Sequence, residues 1–208
     1  MNLDLPTMGL SLAVLGSAVG AIFASYHSKG RLAFHTLKPL TTLLILIMVV
    51  SSLAGSRSEY AGLVAVALLF SLAGDVFLML PPQHFARGIS SFSVAQVLYF
   101  LAFASVSGIA LVHPLAPLLG VIAVALAALI WRGVRPSLRI PVLLYTMLIT
   151  GMATQATGAA IAQRTTGNTI AAAGALLFFV SDAVLAIDRF RSPFMAARAA
   201  VLSSYWLG

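Results

Sequence analysis

Residues 168–187 read NTIAAAGALLFFVSDAVLAI, twenty positions in which the one ionisable side chain is Asp182. A helix needs about 20 such residues to cross a hydrocarbon core about 30 Å thick. Residues 68–80, LLFSLAGDVFLML, repeat the pattern around Asp75. A charged side chain at the centre of a membrane helix costs about 2.5–3.5 kcal/mol on insertion scales and persists mainly where it has a function. The chain has only five acidic residues, and hydropathy should have excluded these two.

The remaining sequence agrees with a membrane location. Of 208 residues, 61% are hydrophobic and 8% charged, with mean hydropathy +1.04. Soluble domains carry about 25% charged residues. The apolar runs are continuous and lack the alternation of a membrane barrel, so the spans are helices. Residues 1–7 contain Asp4 but no Lys or Arg, so the basic start of a cleavable signal is missing and the first helix is expected to be retained. The absence of Cys excludes disulfides, cysteine nucleophiles and Cys-based metal sites.

Eight helices are expected, at about 8–26, 38–54, 60–80, 89–108, 114–131, 140–161, 168–187 and 194–208. Pro39, Pro81, Pro82, Pro114, Pro136, Pro141 and Pro193 mark their ends. Helix 2 is a little short, and helix 8 stops at Gly208 without a polar tail, which leaves its full crossing open. The fold class is all-α: a polytopic membrane protein of about eight transmembrane helices in one bundle, forming a single domain over residues 1–208. Gly16 and Gly20 form a GxxxG pair suited to helix packing.

Basic residues divide unevenly between the two sides. Lys29, Arg31, Lys38, Arg87, Arg132, Arg135, Arg139, Arg189, Arg191 and Arg198 fall on one, and only Arg57 and Arg164 on the other. Basic loops favour the cytoplasm, which puts the N-terminus outside; the minimal loops suit a bacterial protein, for which the expected location is the inner membrane. Orientation uses most of the +7 charge and leaves no case for nucleic-acid binding.

Orientation also gives depth. Helices 3 and 7 both run inward. Asp75 lies six residues before Pro81 and Asp182 six before Asp188, so both carboxylates sit about 9 Å inside the cytoplasmic ends. Lys38, Ser71, Gln96, Tyr99, Tyr145 and Ser181 share that half, and together they predict a polar cavity open to the cytoplasmic leaflet. The outer half holds chiefly Thr154, Gln155 and Thr157. Lys38 also suits a topological role, as do Arg87, Arg189 and Arg191, and the tyrosines suit interfacial anchoring. His27, His35 and His84 fall in expected cytoplasmic loops and His113 on the far side. They show no i, i+4 pair or HExxH, so no metal site is assigned.

Burial and mutual repulsion let two neighbouring carboxylates hold one proton between them near neutral pH. Such a pair suits hydrolysis through an oxocarbenium-like cation: one Asp protonates, and the other stabilises positive charge or activates water. A cavity at the level of one leaflet suggests an amphiphilic, lipid-like substrate with its headgroup among Lys38 and the loop arginines.

The chain also resembles the YhhN family of membrane lysoplasmalogenases. The matching pieces are KPLTT from Lys38, LLFSLAGDVFLML around Asp75, FARGISSFSVAQVLYF through Arg87 and Tyr99, and GALLFFVSDAVLAIDRF around Asp182. Gln96 departs from the family pattern, where His commonly precedes the Tyr in HxxY. The resemblance implies hydrolysis of the vinyl ether bond of lysoplasmalogens to a fatty aldehyde and glycerophospho-ethanolamine or -choline. No redox cofactor or obligatory metal is implied. Asp75 and Asp182 would share the acid and base roles, Lys38 would hold the phosphate, and Tyr99 and Tyr145 would orient headgroup or carboxylates. Competing readings are a proton-coupled transporter or lipid flippase, a metal-dependent lipid hydrolase using the loop histidines, and a non-catalytic scaffold.

Overall fold

A computed structural model describes residues 5–27, 30–53 and 58–208, with side chains from residue 8 onward. Asp4, Lys29 and Arg57 lie outside the described residues. Among those described, eight α-helices and no strands are found: α1 (Leu5–Tyr26), α2 (Arg31–Leu53), α3 (Glu59–Met79), α4 (Phe85–Ser107), α5 (Ala116–Ile130), α6 (Arg139–Gln163), α7 (Thr166–Phe190) and α8 (Ala197–Leu207). The all-α polytopic architecture expected from the apolar runs is found.

Local chemistry sets the helix ends. The Ser58 side chain accepts the Ala61 amide at 3.5 Å, and Glu59 occupies the first turn of α3. Both satisfy or complement the exposed amides and positive pole of that terminus. Thr165 caps α7 in the same way, through the Asn168 amide at 3.2 Å, and Arg189 sits in its last turn. Arg164 ends α6 in the left-handed conformation, at φ 52°.

Six of the eight helices are long and apolar enough to cross a membrane: α1, α2, α3, α4, α6 and α7. With 15 and 11 residues, α5 and α8 span only about 22 and 16 Å. The other correction concerns α2. Pro39 does not start this helix but lies inside it, so Lys38 falls in its third turn and His35 is helical rather than in a loop. Proline removes one backbone donor from the helical ladder, and a membrane helix packed on neighbours tolerates that loss.

The helix contacts close a ring: α1 on α2, then α3, α4, α6, α7 and α8, with α8 returning to α1. The short α5 packs outside the ring across α6 and α7. α3 packs tightly on α4, where a methyl group added at Gly74 would lie 2.6 Å from the Phe92 ring. In the GxxxG pair, Gly20 faces Leu37 of α2, whereas nothing lies within 4 Å of the place a Gly16 methyl would occupy. Leu12, Leu15, Val19 and Phe23 of α1 are exposed and form an outward apolar face, as a lipid-facing helix requires.

Aromatic and small side chains fill part of the ring's interior, including Phe92, Phe103, Phe178 and Phe179 against Ala153, Ala156 and Ala175. Thr154, Gln155 and Thr157 of α6 lie against the 108–115 connection. Gln155 Nε2 donates to the Gly108 carbonyl at 2.6 Å, and its Oε1 accepts the Ala110 amide at 2.9 Å. His113 Nε2 lies 2.9 Å from the Thr154 carbonyl. Thr157 bonds backward to the Ala153 carbonyl at 2.8 Å.

Candidate active site

Helical periodicity turns Lys38 and Thr42, four residues apart on α2, to one face, and both meet Asp75 of α3. Lys38 Nζ stands 3.0 Å from Asp75 Oδ1. Thr42 Oγ1 donates to Oδ2 at 2.8 Å, and the Tyr205 hydroxyl of α8 donates to the same oxygen at 3.1 Å. Asp75 is 2% exposed, and the Lys38 side chain 13%. Three donors from two other helices, one of them cationic, surround this buried carboxylate. A charge removed from water persists where such partners satisfy it.

Asp182 of α7 has a different environment. It is half-buried, and its Oδ2 accepts a hydrogen bond from the Tyr145 hydroxyl of α6. Gln96 Nε2 of α4 donates to Tyr145 Oη at 3.3 Å. That bond occupies the phenol oxygen as acceptor and directs its proton to Asp182. The result is a relay, Gln96 to Tyr145 to Asp182, across three helices.

Lys38, Asp75, Tyr145, Ser181 and Asp182 line one cavity with about 910 Å³ of empty space. The structure thus brings both carboxylates to one cavity, whose character differs from the polar one expected. The two carboxylates and their partners form a polar patch, and the walls are apolar, with Leu78, Phe85, Ile130, Val142 and Phe179. The exposed Arg189 stands at the rim, its guanidinium 4.7 Å from the centre of the Phe85 ring.

Three expected residues lie elsewhere. Gln96 is fully buried and contacts the site through Tyr145. Ser71 is fully buried; its Oγ, without a well-formed hydrogen bond, faces the Tyr99 hydroxyl. Tyr99 lines a second cavity instead of the first. Ser181 reaches the first cavity, but its hydroxyl donates to the Val201 carbonyl at 2.9 Å, joining α7 to α8. Sequence reasoning missed Thr42 and Tyr205. The KPLTT stretch did carry a signal for Thr42, since four residues separate it from Lys38. Nothing local marked Tyr205, which pairs with a residue 130 positions away. Arg189 was read as a topological charge, yet it lies seven residues after Asp182, two turns along the same face of α7. Among the described residues no group of three or more His, Asp or Glu is placed to hold a metal ion.

Long apolar helices arranged in a ring, with two aspartates on one interior cavity, define an integral membrane protein. Comparison with known proteins gives its kinship. Residues 33–208 match the YhhN family, and the chain belongs to that family. It is 30% identical over 199 residues to the uncharacterised membrane protein YhhN of Escherichia coli O157:H7, covering 95% of this chain and 93% of that one. It is 33% identical over 150 residues to a Bos taurus protein named lysoplasmalogenase TMEM86A, covering 68% of this chain and 59% of the relative. Lysoplasmalogenase TMEM86B of Sus scrofa is 30% identical over 173 residues, covering 81% and 67%. No solved structure matches. These relatives support a membrane, lysoplasmalogenase-like hydrolase function in general terms, with a lipid substrate in the bilayer.

Proposed function

We propose that this protein hydrolyses the vinyl ether bond of lysoplasmalogens, releasing a fatty aldehyde and a glycerophospho-ethanolamine or -choline, with Asp75 and Asp182 as the acid/base pair. The observation that carries the reading is the unequal environment of two carboxylates on one cavity wall. Asp75 faces a cation and two hydroxyl donors, which suits the carboxylate that starts the cycle ionised and serves as base. Among the described residues, Asp182 lines the cavity with a single hydroxyl donor, Tyr145, and no cation beside it, which suits the group that carries the transferable proton.

The chemistry balances without a cofactor. Asp182 gives its proton to the alkenyl carbon remote from the ether oxygen, leaving an oxocarbenium ion beside the Asp75 carboxylate. Water adds to the cationic carbon, and its released proton goes to Asp75. The hemiacetal then collapses. Asp75 returns a proton to the glyceryl oxygen as the carbon–oxygen bond breaks, and Asp182 takes the proton of the hemiacetal hydroxyl. Both acids end as they began, and one water has been consumed. A positioned general acid or base contributes typically 10²–10⁴-fold.

The headgroup assignment changes from the one the sequence suggests. The charge of Lys38 is engaged by Asp75, so its role is to hold that carboxylate. Arg189, exposed at the rim two turns from Asp182, is the group for the lipid phosphate. Its planar guanidinium suits phosphate oxygens, and helical side chains lean toward the N-terminus, here toward Asp182. The loop charges support a rim that faces the cytoplasm and a location in a bacterial inner membrane.

The test is aldehyde release from lysoplasmenyl lipid by the purified protein in detergent or liposomes. Wild-type turnover by folded Asp75→Asn and Asp182→Asn variants would overturn the mechanism. Lipid transfer across liposomes without aldehyde would favour the transporter reading. Activity lost to a chelator and restored by Zn²⁺ would favour the metal-dependent one.

A further inference from the structure

A second cavity, with about 840 Å³ of empty space, lies beyond the carboxylates on the side away from Arg189. Three helices agree on this placement. On α7 its lining stops at Phe178, before Asp182, whereas the first cavity begins at Phe179. On α3 it is lined by Tyr60, Val64 and Leu68, all before Asp75. On α2 it is lined by Thr42, Ile45 and Val49, beyond Lys38. Tyr205 borders both cavities, with its hydroxyl on Asp75 and its ring against Phe178 at 5.2 Å.

We infer that this second cavity holds the hydrocarbon chain of a single-chain lipid, and that Ala171 and Met152 at its walls set the chain length accepted. The inference rests on the function proposed above. In a vinyl ether the reacting carbons carry the glycerophosphate on one side and the hydrocarbon chain on the other. With the phosphate at Arg189 and the double bond at Asp182, the chain leaves in the opposite direction, past Tyr205. The space there suits it: the walls are mostly apolar, and the α7 side is built from Ala171, Gly174 and Ala175, whose small side chains leave room. Ala171 lies eleven residues before Asp182, about 16 Å along the helix axis, so the cavity extends well past the site of protonation.

The test is the chain-length profile of aldehyde release, measured as kcat/KM on lysoplasmenyl lipids of graded alkenyl length. In Ala171→Leu the optimum moves to shorter chains. The longest substrates lose about tenfold or more, because a single methylene in an apolar pocket is worth about 10–200-fold, and the shortest keep wild-type values. In Met152→Ala, which enlarges the same space, the optimum moves to longer chains. Ala173→Leu, exposed on the outward face of α7, leaves the profile unchanged. Unmoved optima in Ala171→Leu and Met152→Ala proteins that still process short chains would overturn the inference while leaving the proposed reaction intact. No aldehyde from wild-type protein at any length would refute the reaction and this inference with it.

Discussion

Replacing Lys38 by methionine isolates the most consequential contact in the site. Methionine keeps an unbranched side chain, one atom shorter, and removes the ammonium with its charge and donors. Asp75, 2% exposed, then loses the cation 3.0 Å from its Oδ1 and keeps the hydroxyls of Thr42 and Tyr205 on Oδ2. Breaking a buried pair from one side costs about 3–5 kcal/mol, because the remaining charge stays buried without compensation. The two remaining hydrogen bonds argue for the low end. A loss of about 3 kcal/mol shifts the unfolding equilibrium roughly a hundredfold or more, at 1.4 kcal/mol per tenfold. Asp75→Asn is milder, because the Lys38 side chain, 13% exposed, can turn its ammonium toward water. The double variant Lys38→Met/Asp75→Asn removes both charges and recovers about 2 kcal/mol relative to the sum of the singles. Reversible unfolding in mixed micelles, followed by the fluorescence of Trp131 and Trp206, measures all four corners of this cycle. Additive single effects, or a Lys38→Met protein within about 0.5 kcal/mol of wild type, the range of an ordinary surface substitution, would refute the reasoning.

Other substitutions probe the elements that support the site. Tyr145→Phe removes the donor to Asp182 and strands Gln96 Nε2; it should lower kcat by about tenfold, a fraction of the 10²–10⁴ a general acid supplies, with KM little changed. Gly74→Ala drives a methyl group into the Phe92 ring at 2.6 Å, and the overpacking should cost about 1–3 kcal/mol in the same unfolding assay. Gln155→Leu leaves the Ala110 amide and the Gly108 carbonyl without their side-chain partner. It should destabilise by about 1–3 kcal/mol and increase amide exchange across residues 108–115, with kcat unchanged.

The long helices were legible because spanning a bilayer demands a length and a composition that sequence displays directly. α3 and α7, which carry the aspartates, were read to within a few residues. The start of α2 was not, because proline usually marks a boundary and here lies inside a helix supported by neighbours. The two acids were legible as exceptions to hydropathy. Their different environments were not, because those depend on Tyr205 and Tyr145, which reach them from other helices at sequence separations of 130 and 37. A polar cavity was expected from polar residues of similar depth. Depth alone does not say which way a side chain turns, and Ser71, Gln96 and Tyr99 do not line the cavity.

The bond between Tyr205 and Asp75 bears on how the protein is made. Lys38 and Asp75 leave the ribosome with α2 and α3, whereas Tyr205 follows 130 residues after Asp75, about 6–26 s later at 5–20 residues per second. During that interval the nascent α2–α3 hairpin holds a carboxylate in the lipid phase with Lys38 and Thr42 as its own partners. The ion pair can balance that charge before α8 is made, and the Tyr205 bond then joins α8 to Asp75.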